Sequence, residues 1–222
     1  MSVFPIYVLA DRSASMAASV GDVTAIEAVN AVIAELIDEL SRDPTVQKRA
    51  RLGVISFSEE AEVELPLTRL TSSTVPPTLR ASGGTSFAAA FETTARAIRT
   101  DLPGLDAPQP PMVFMLTDGH TNAGRDTAKG WRAEHKALLE AAGPVGRVRL
   151  IPFGFGKVDA QALASIASDP TAAYLAGQND TPAQAIERFA ELIFGSVTSS
   201  VAYGEPLTVP PPGSRVLPFS EI

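Results

Sequence analysis

Three nearly continuous apolar runs govern what this chain can become: VFPIYVLA at residues 3–10, MVFML within 111–119, and RVRLIPFGFG ending at residue 156. A strand with water on one face alternates apolar and polar residues. A strand apolar throughout is covered on both faces, the condition of a parallel sheet sandwiched between helices.

The segments between these runs supply the helices. Ile26, Val29, Ile33, Leu36, Ile37 and Leu40 recur at helical spacing, and Asp43-Pro44 closes that segment. After a Gly83-Gly84 turn, Phe87, Phe91, Ala95 and Ile98 share one helical face. A helix is expected from about Asp126 to Ala142, a short one at DAQALASIA, a short strand at AAYLA, and a last helix carrying the stripe Ile186, Phe189, Ala190, Ile193, Phe194 and Val197. RLGVISFS (51–58) and AEVELP (61–66) are separated only by Glu59 and Glu60, which suits a hairpin and leaves no room for a crossover helix. The expected fold is therefore α/β: a doubly wound, mostly parallel central sheet of about six strands, one of them an antiparallel edge strand, flanked by helices.

A length of 222 residues suits one domain, residues 1–200, followed by a proline-rich tail, 201–222, with Pro206, Pro210, Pro211, Pro212 and Pro218. Such a tail reads by default as a mobile terminus. Val216, Leu217, Phe219 and Ile222 are nevertheless apolar enough to dock on the parent domain or on another chain.

Composition removes several function classes. A net charge of −7 without clustered Lys and Arg disfavours nucleic acid. The absence of cysteine excludes disulfides, thiolate metal sites and cysteine nucleophiles. The N-terminus has no basic region before its apolar run, and nowhere do about 18 apolar residues follow one another, so neither a signal peptide nor a membrane span is expected. The reading is a cytoplasmic protein.

In an open α/β sheet, ligands gather outside the carboxyl ends of the strands, at the point where strand order reverses. Three segments bring oxygen atoms there: Asp11, Ser13 and Ser15 after the first strand, Thr85 at a helix entrance, and Asp118 after MVFML. Oxygen donors without nitrogen or sulfur describe a hard cation, Mg²⁺ before zinc, with Mn²⁺ or Ca²⁺ as substitutes. Only two of the five side chains are charged, so the ion keeps positive charge and an open position for a carboxylate from outside. Single residues of this set have simpler readings. Asp11, Ser13, Ser15 or Thr85 can cap a helix, and Asp118 before Gly119 suits a turn.

Asp11-x-Ser13-x-Ser15, Thr85 and Thr117-Asp118-Gly119 together resemble the metal-ion-dependent adhesion site of von Willebrand factor A domains, over residues 3–199. The resemblance implies that the two serines and the threonine bind the ion, while the aspartates act directly or through water. It also implies a non-enzymatic, Mg-dependent module that accepts an Asp or Glu of a protein partner, with Arg12, Gly84 and His120 on the rim. Residues 40–70 and 76–91 are further similar to TerY-type proteins of bacterial tellurium-resistance and stress gene clusters. That likeness implies a phosphorylation-linked signalling role alongside a protein kinase and a PP2C-type phosphatase. The chain departs from the family pattern at Arg12, Ala14 and Ala17-Ala18, where small residues, often glycine, are usual. Arg12 is read as a shield for the ion, a contact for an acidic partner, or a solvated loop cation.

A metal-dependent phosphoryl hydrolase is the alternative, since a strand-terminal aspartate beside Mg²⁺ also suits phosphoryl transfer. Against it, Ser13 stands where such an enzyme wants an acid, and no P-loop is present. His120 and His135 are the only histidines, and no zinc pair is expected from them.

Overall fold

β1 (Phe4–Asp11) is buried along its whole length, as a strand with helices on both sides must be. The computed structural model describes all residues except 1, 21, 22, 120, 123–125, 157, 170, 178 and 218–222. After β1 come a 3-10 turn at Ala14–Ala17, the short antiparallel ribbon β2 (Ser19–Val20) and β3 (Val23–Thr24), and helices α1 (Ala25–Arg42) and α2 (Pro44–Arg49). The hairpin β4 (Ala50–Phe57) and β5 (Ala61–Thr68) precedes α3 (Phe87–Asp101) and β6 (Met112–Thr117). The chain continues through α4 (Asp126–Lys129), α5 (Arg132–Leu139), β7 (Arg149–Gly154), α6 (Ala160–Ile166), β8 (Tyr174–Leu175), α7 (Pro182–Tyr203) and β9 (Arg215–Val216).

The main sheet has the order β5-β4-β1-β6-β7-β8-β9. β4, β1, β6, β7 and β8 run parallel, while β5 and β9 pair antiparallel at the two edges. From β1 the chain crosses to β4 on one side, and it later returns to place β6 on the other. The order therefore reverses at β1, and the carboxyl ends of β1 and β6 border the crevice where such folds bind ligands.

Alternation along β1 divides the core. Phe4, Ile6, Val8 and Ala10 pack with α1, α2 and α7, whereas Tyr7 and Leu9 pack with α3, α5 and α6. The predicted stripe of α1 is its buried face, and Thr24 and Glu27 close a capping box at its start. Asp43-Pro44 does end α1, but it also starts α2, because the Asp43 side chain accepts from Thr45 and Val46 N–H while Pro44 needs no donor there.

One expectation needs correction. The helix expected from Asp126 to Ala142 is broken in two at Gly130, whose φ of +71° is left-handed; Trp131 then packs edge-on against Phe87 and Phe91. Among the described residues the sheet has seven strands, close to the expected six. The extra strand, β9, comes from the proline-rich segment, which lies along the domain as far as Leu217. Leu207 and Val209 N–H donate to Ser200 and Ser196 Oγ at 2.8 and 2.9 Å, and buried Leu217 donates its N–H to Ala173 at 3.0 Å. A two-residue strand has no period to read. Phe219 and Ile222 lie outside the described residues. Among the described residues, no helix is long and apolar enough to cross a membrane.

Candidate functional site

The ends of β1 and β6 place Asp11 and Thr117 side by side, and Thr117 Oγ1 donates to Asp11 Oδ2 at 2.7 Å. The other oxygen, Oδ1, accepts from Ser13 N–H at 2.8 Å. Asp11 is thus fully buried with both oxygens engaged. Beyond it, the oxygens form a chain: Ser13 Oγ to Ser15 Oγ at 3.0 Å, and Ser15 Oγ to Asp118 Oδ1 at 2.9 Å. Ser13 is buried, Asp118 is half-buried and Ser15 is exposed, so the cluster opens to solvent on one side.

The surrounding loops are tied by main-chain hydrogen bonds. Arg12 N–H donates to Phe57, Ala14 N–H to Gly83, Ser82 N–H to Arg12 and Ser86 N–H to Ser58, at 2.8–2.9 Å. The Gly83-Gly84 turn, with Gly83 at φ +73°, is thereby held against the loop after β1. Gly84 N–H donates to Glu59 Oε1 at 3.3 Å.

The helix-cap readings fail for two members of the set. Ser13 stands at the head of the 3-10 turn yet makes no side-chain cap bond, and the cap of α3 is Ser86, whose Oγ accepts from Ala89 N–H, not Thr85. Thr85 is buried, its N–H accepted by Asn122 Oδ1 at 2.9 Å. Arg12 is no solvated cation. Its side chain is 16% exposed and points toward the hairpin, donating to Ser56 and Ser82 Oγ at 3.1 and 2.9 Å with Glu62 at 3.6 Å. His120 lies outside the described residues. His135 bonds the Ile166 carbonyl and packs between Phe91 and Trp131, a structural place, and burial lowers its pKa.

Burial pushes the Asp11 carboxyl up to about 6, against the hydrogen bonds from Ser13 and Thr117, with Asp118 adding repulsion. Burial also raises Asp118, which the Ser15 hydrogen bond opposes. Two carboxyls thus crowd into a pocket that disfavours their charge, an environment a cation reverses. The observed spacings suit one. Neighbouring ligands of an octahedral ion with bonds of about 2.0–2.1 Å stand about 2.9–3.0 Å apart, the separation of Ser13, Ser15 and Asp118 oxygens here. Among the described residues, no group of three or more His, Asp or Glu gathers as a carboxylate-rich or imidazole metal site would require.

Three residues of this region escape a reading of the sequence: Thr121, Asn122 and Asp126. Thr121 and Asn122 hold the Thr85 main chain, and Asp126 is buried against the start of α3. The one available signal is an acidic residue opening a helical segment, which every helix N-terminus favours.

The family model for the von Willebrand factor type A domain matches residues 6–189. The chain belongs to that family. No curated protein matches it. Among solved structures, a von Willebrand factor type A protein from Catenulispora acidiphila is similar at 19% identity and TM-score 0.63, over 88% of this chain and 43% of that one. Proximal thread matrix protein 1 of the mussel byssus, solved with a zinc-occupied MIDAS motif, gives 20% identity and TM-score 0.63 over 88% and 48%. The pilus adhesin SpaC of Lactobacillus rhamnosus GG gives 15% and 0.69 over 89% and 31%. These likenesses show the fold: a mostly parallel sheet with antiparallel edges, flanked by helices. The chain spans less than half the length of these three proteins. Von Willebrand A domains commonly act as metal-dependent protein-interaction modules.

Proposed function

We propose that this chain is a non-enzymatic, divalent-cation-dependent protein-binding module. Ser13, Ser15 and Thr85 would hold the ion, and Asp11 and Asp118 would act directly or through water, with Asp11 steadied by the Ser13 N–H and the Thr117 hydroxyl. The observation that carries this reading is the run of Ser13, Ser15 and Asp118 oxygens at 3.0 and 2.9 Å, open to solvent at Ser15. The ion supplies a Lewis-acidic position that a partner's Asp or Glu completes. An all-oxygen donor set favours Mg²⁺, with Mn²⁺ or Ca²⁺ as substitutes; the zinc seen in the mussel protein makes Zn²⁺ the informative competitor.

The hydrolase alternative would need Asp11 as its nucleophile, and Asp11 is fully buried with both oxygens hydrogen-bonded by the protein. The finer placement, a stress-signalling system of tellurium-resistance type with a protein kinase and a PP2C-type phosphatase as partners, rests on the TerY-type likeness of residues 40–70 and 76–91.

Calorimetric titration with Mg²⁺, Mn²⁺ and Zn²⁺, followed by capture of the candidate kinase and phosphatase with and without Mg²⁺, tests the proposal. Binding of metal and partner by the native protein, lost together in Asp11→Ala, is the expected result. Partner capture indifferent to EDTA and to Asp11→Ala would refute the adhesion mechanism.

A further inference from the structure

The entrance of the helix after Thr85 draws its hydrogen-bond partners from a different segment of the chain. Ser86 already caps α3 by accepting from Ala89 N–H at 3.2 Å. The next free donors, Phe87 and Ala88 N–H, are taken by a residue from a different segment: Asp126 Oδ2 accepts from Phe87 at 2.7 Å and from Ala88 at 3.2 Å. Asp126 Oδ1 accepts from Ser86 Oγ at 2.8 Å, and Thr121 Oγ1 donates to Oδ2. Asp126 is buried, and its charge lies at the positive end of α3.

The same segment holds Thr85 itself. Asn122 Oδ1 accepts from Thr85 N–H and Asn122 N–H donates to Thr85 O, both at 2.9 Å, while Thr121 Oγ1 donates to Thr85 O at 3.2 Å. Residues 85–88 are therefore fixed from one side by residues 121, 122 and 126. That side is the continuation of the strand end that bears Asp118. The segment that fixes Thr85 therefore begins three residues after Asp118, which is itself 33 positions from Thr85 in sequence.

We propose that Asp126 and Asn122 are positioning residues: they lock the Thr85 loop to the Asp118 loop so that the Thr85 hydroxyl and the Asp118 carboxylate meet one cation. The proposal rests on the reading of Ser13, Ser15, Thr85 and Asp118 as cation ligands. A ligand set must be held to within about 0.5 Å to bind its ion well, and a loop does that only through packing and hydrogen bonds from behind. Positioning contacts behind metal ligands typically change affinity by about 10–100-fold when removed.

The test uses Mn²⁺ as probe, followed by its paramagnetic resonance signal on the full chain, with thermal unfolding and amide exchange at residues 85–88 measured on the metal-free protein. Asp11→Ala reports on the site itself. Asp43→Ala, which removes the side-chain cap of α2 away from the site, controls for loss of stability alone. The expected result is that Asp126→Asn weakens Mn²⁺ binding by tenfold or more and speeds exchange at Phe87 and Ala88, while Asp43→Ala lowers the melting temperature with unchanged Mn²⁺ affinity. Asn122→Ala, at an exposed side chain whose loss the fold should tolerate, is expected to weaken binding threefold or more; it carries the test alone should Asp126→Asn fail to melt cooperatively. Native-like Mn²⁺ affinity in Asn122→Ala, or in a folded Asp126→Asn, overturns the positioning role and leaves the metal site standing. Failure of the native protein to bind Mn²⁺ overturns the metal site, and the positioning role with it.

Discussion

Thr117 Oγ1 donates to Asp11 Oδ2 at 2.7 Å, tying together the ends of two adjacent parallel strands 106 residues apart in sequence. Both residues are fully buried, so this bond replaces water for the Asp11 carboxylate. Thr117→Val keeps the shape and removes the donor. Leaving a buried acceptor unpaired costs about 1–3 kcal/mol and more when it is charged, and urea unfolding should show a loss of at least about 1 kcal/mol. Unchanged stability would mean that Asp11 finds another partner.

Protonation of Asp11 gives the metal-free protein a distinctive pH response. The folded chain holds this proton at about 6, against 3.8 for an unperturbed carboxyl. A raised folded pKa contributes stability that is fully present below 3.8 and lost as the pH rises through 6, about 3 kcal/mol in all. In EDTA, the melting temperature of the native protein should fall more between pH 4 and pH 7 than that of Asp11→Asn. Parallel profiles for the two would remove burial as the cause.

Metal affinity should follow the same proton in the opposite sense, since a cation needs the ionised carboxylate. Mg²⁺ binding is expected to be about tenfold weaker at pH 5 than at pH 7, from the fraction of Asp11 ionised. Titrations at the two pH values read this directly, and equal affinities would exclude Asp11 from the site.

Arg12 occupies the loop between Asp11 and Ser13, yet its guanidinium is bound to Ser56, Ser82 and Glu62. Its role is to brace the loop against the β4–β5 hairpin. Arg12→Ala should lower stability by about 1–2 kcal/mol and leave Mg²⁺ affinity within about threefold, because the guanidinium is already engaged by Ser56, Ser82 and Glu62. A tenfold gain in affinity would show that the guanidinium shields the ion after all.

Leu217 anchors the proline-rich segment, buried after β9 with its N–H on the Ala173 carbonyl. Leu217→Ser should cost about 1.5–3 kcal/mol, the value of one buried aliphatic side chain. Denaturant unfolding checks it, and a null effect would mean that the segment leaves the domain in solution.

Much of the architecture is legible before any coordinates, because it is written in local periods. The apolar run at residues 3–10 predicts β1, the 3.6-residue stripe from Ile26 to Leu40 predicts α1, and the Glu59-Glu60 gap predicts the antiparallel hairpin. Gly130 shows the limit. One left-handed residue splits an amphipathic stretch that continues on either side of it, and glycine alone does not announce whether it will adopt that conformation.

By itself, then, the sequence determined the strand and helix order, the parallel sheet, and the delivery of Asp11, Ser13, Ser15, Thr85 and Asp118 to neighbouring loops, since chain-local patterns and the rules of α/β crossovers suffice for those. Only the tertiary structure decided which hydroxyl meets which carboxylate, that Arg12 bonds the β4–β5 hairpin, that Asp126 and Asn122 hold Thr85, and that β9 extends the sheet. These are contacts between segments distant in the chain, set by register and packing, and no local period encodes them.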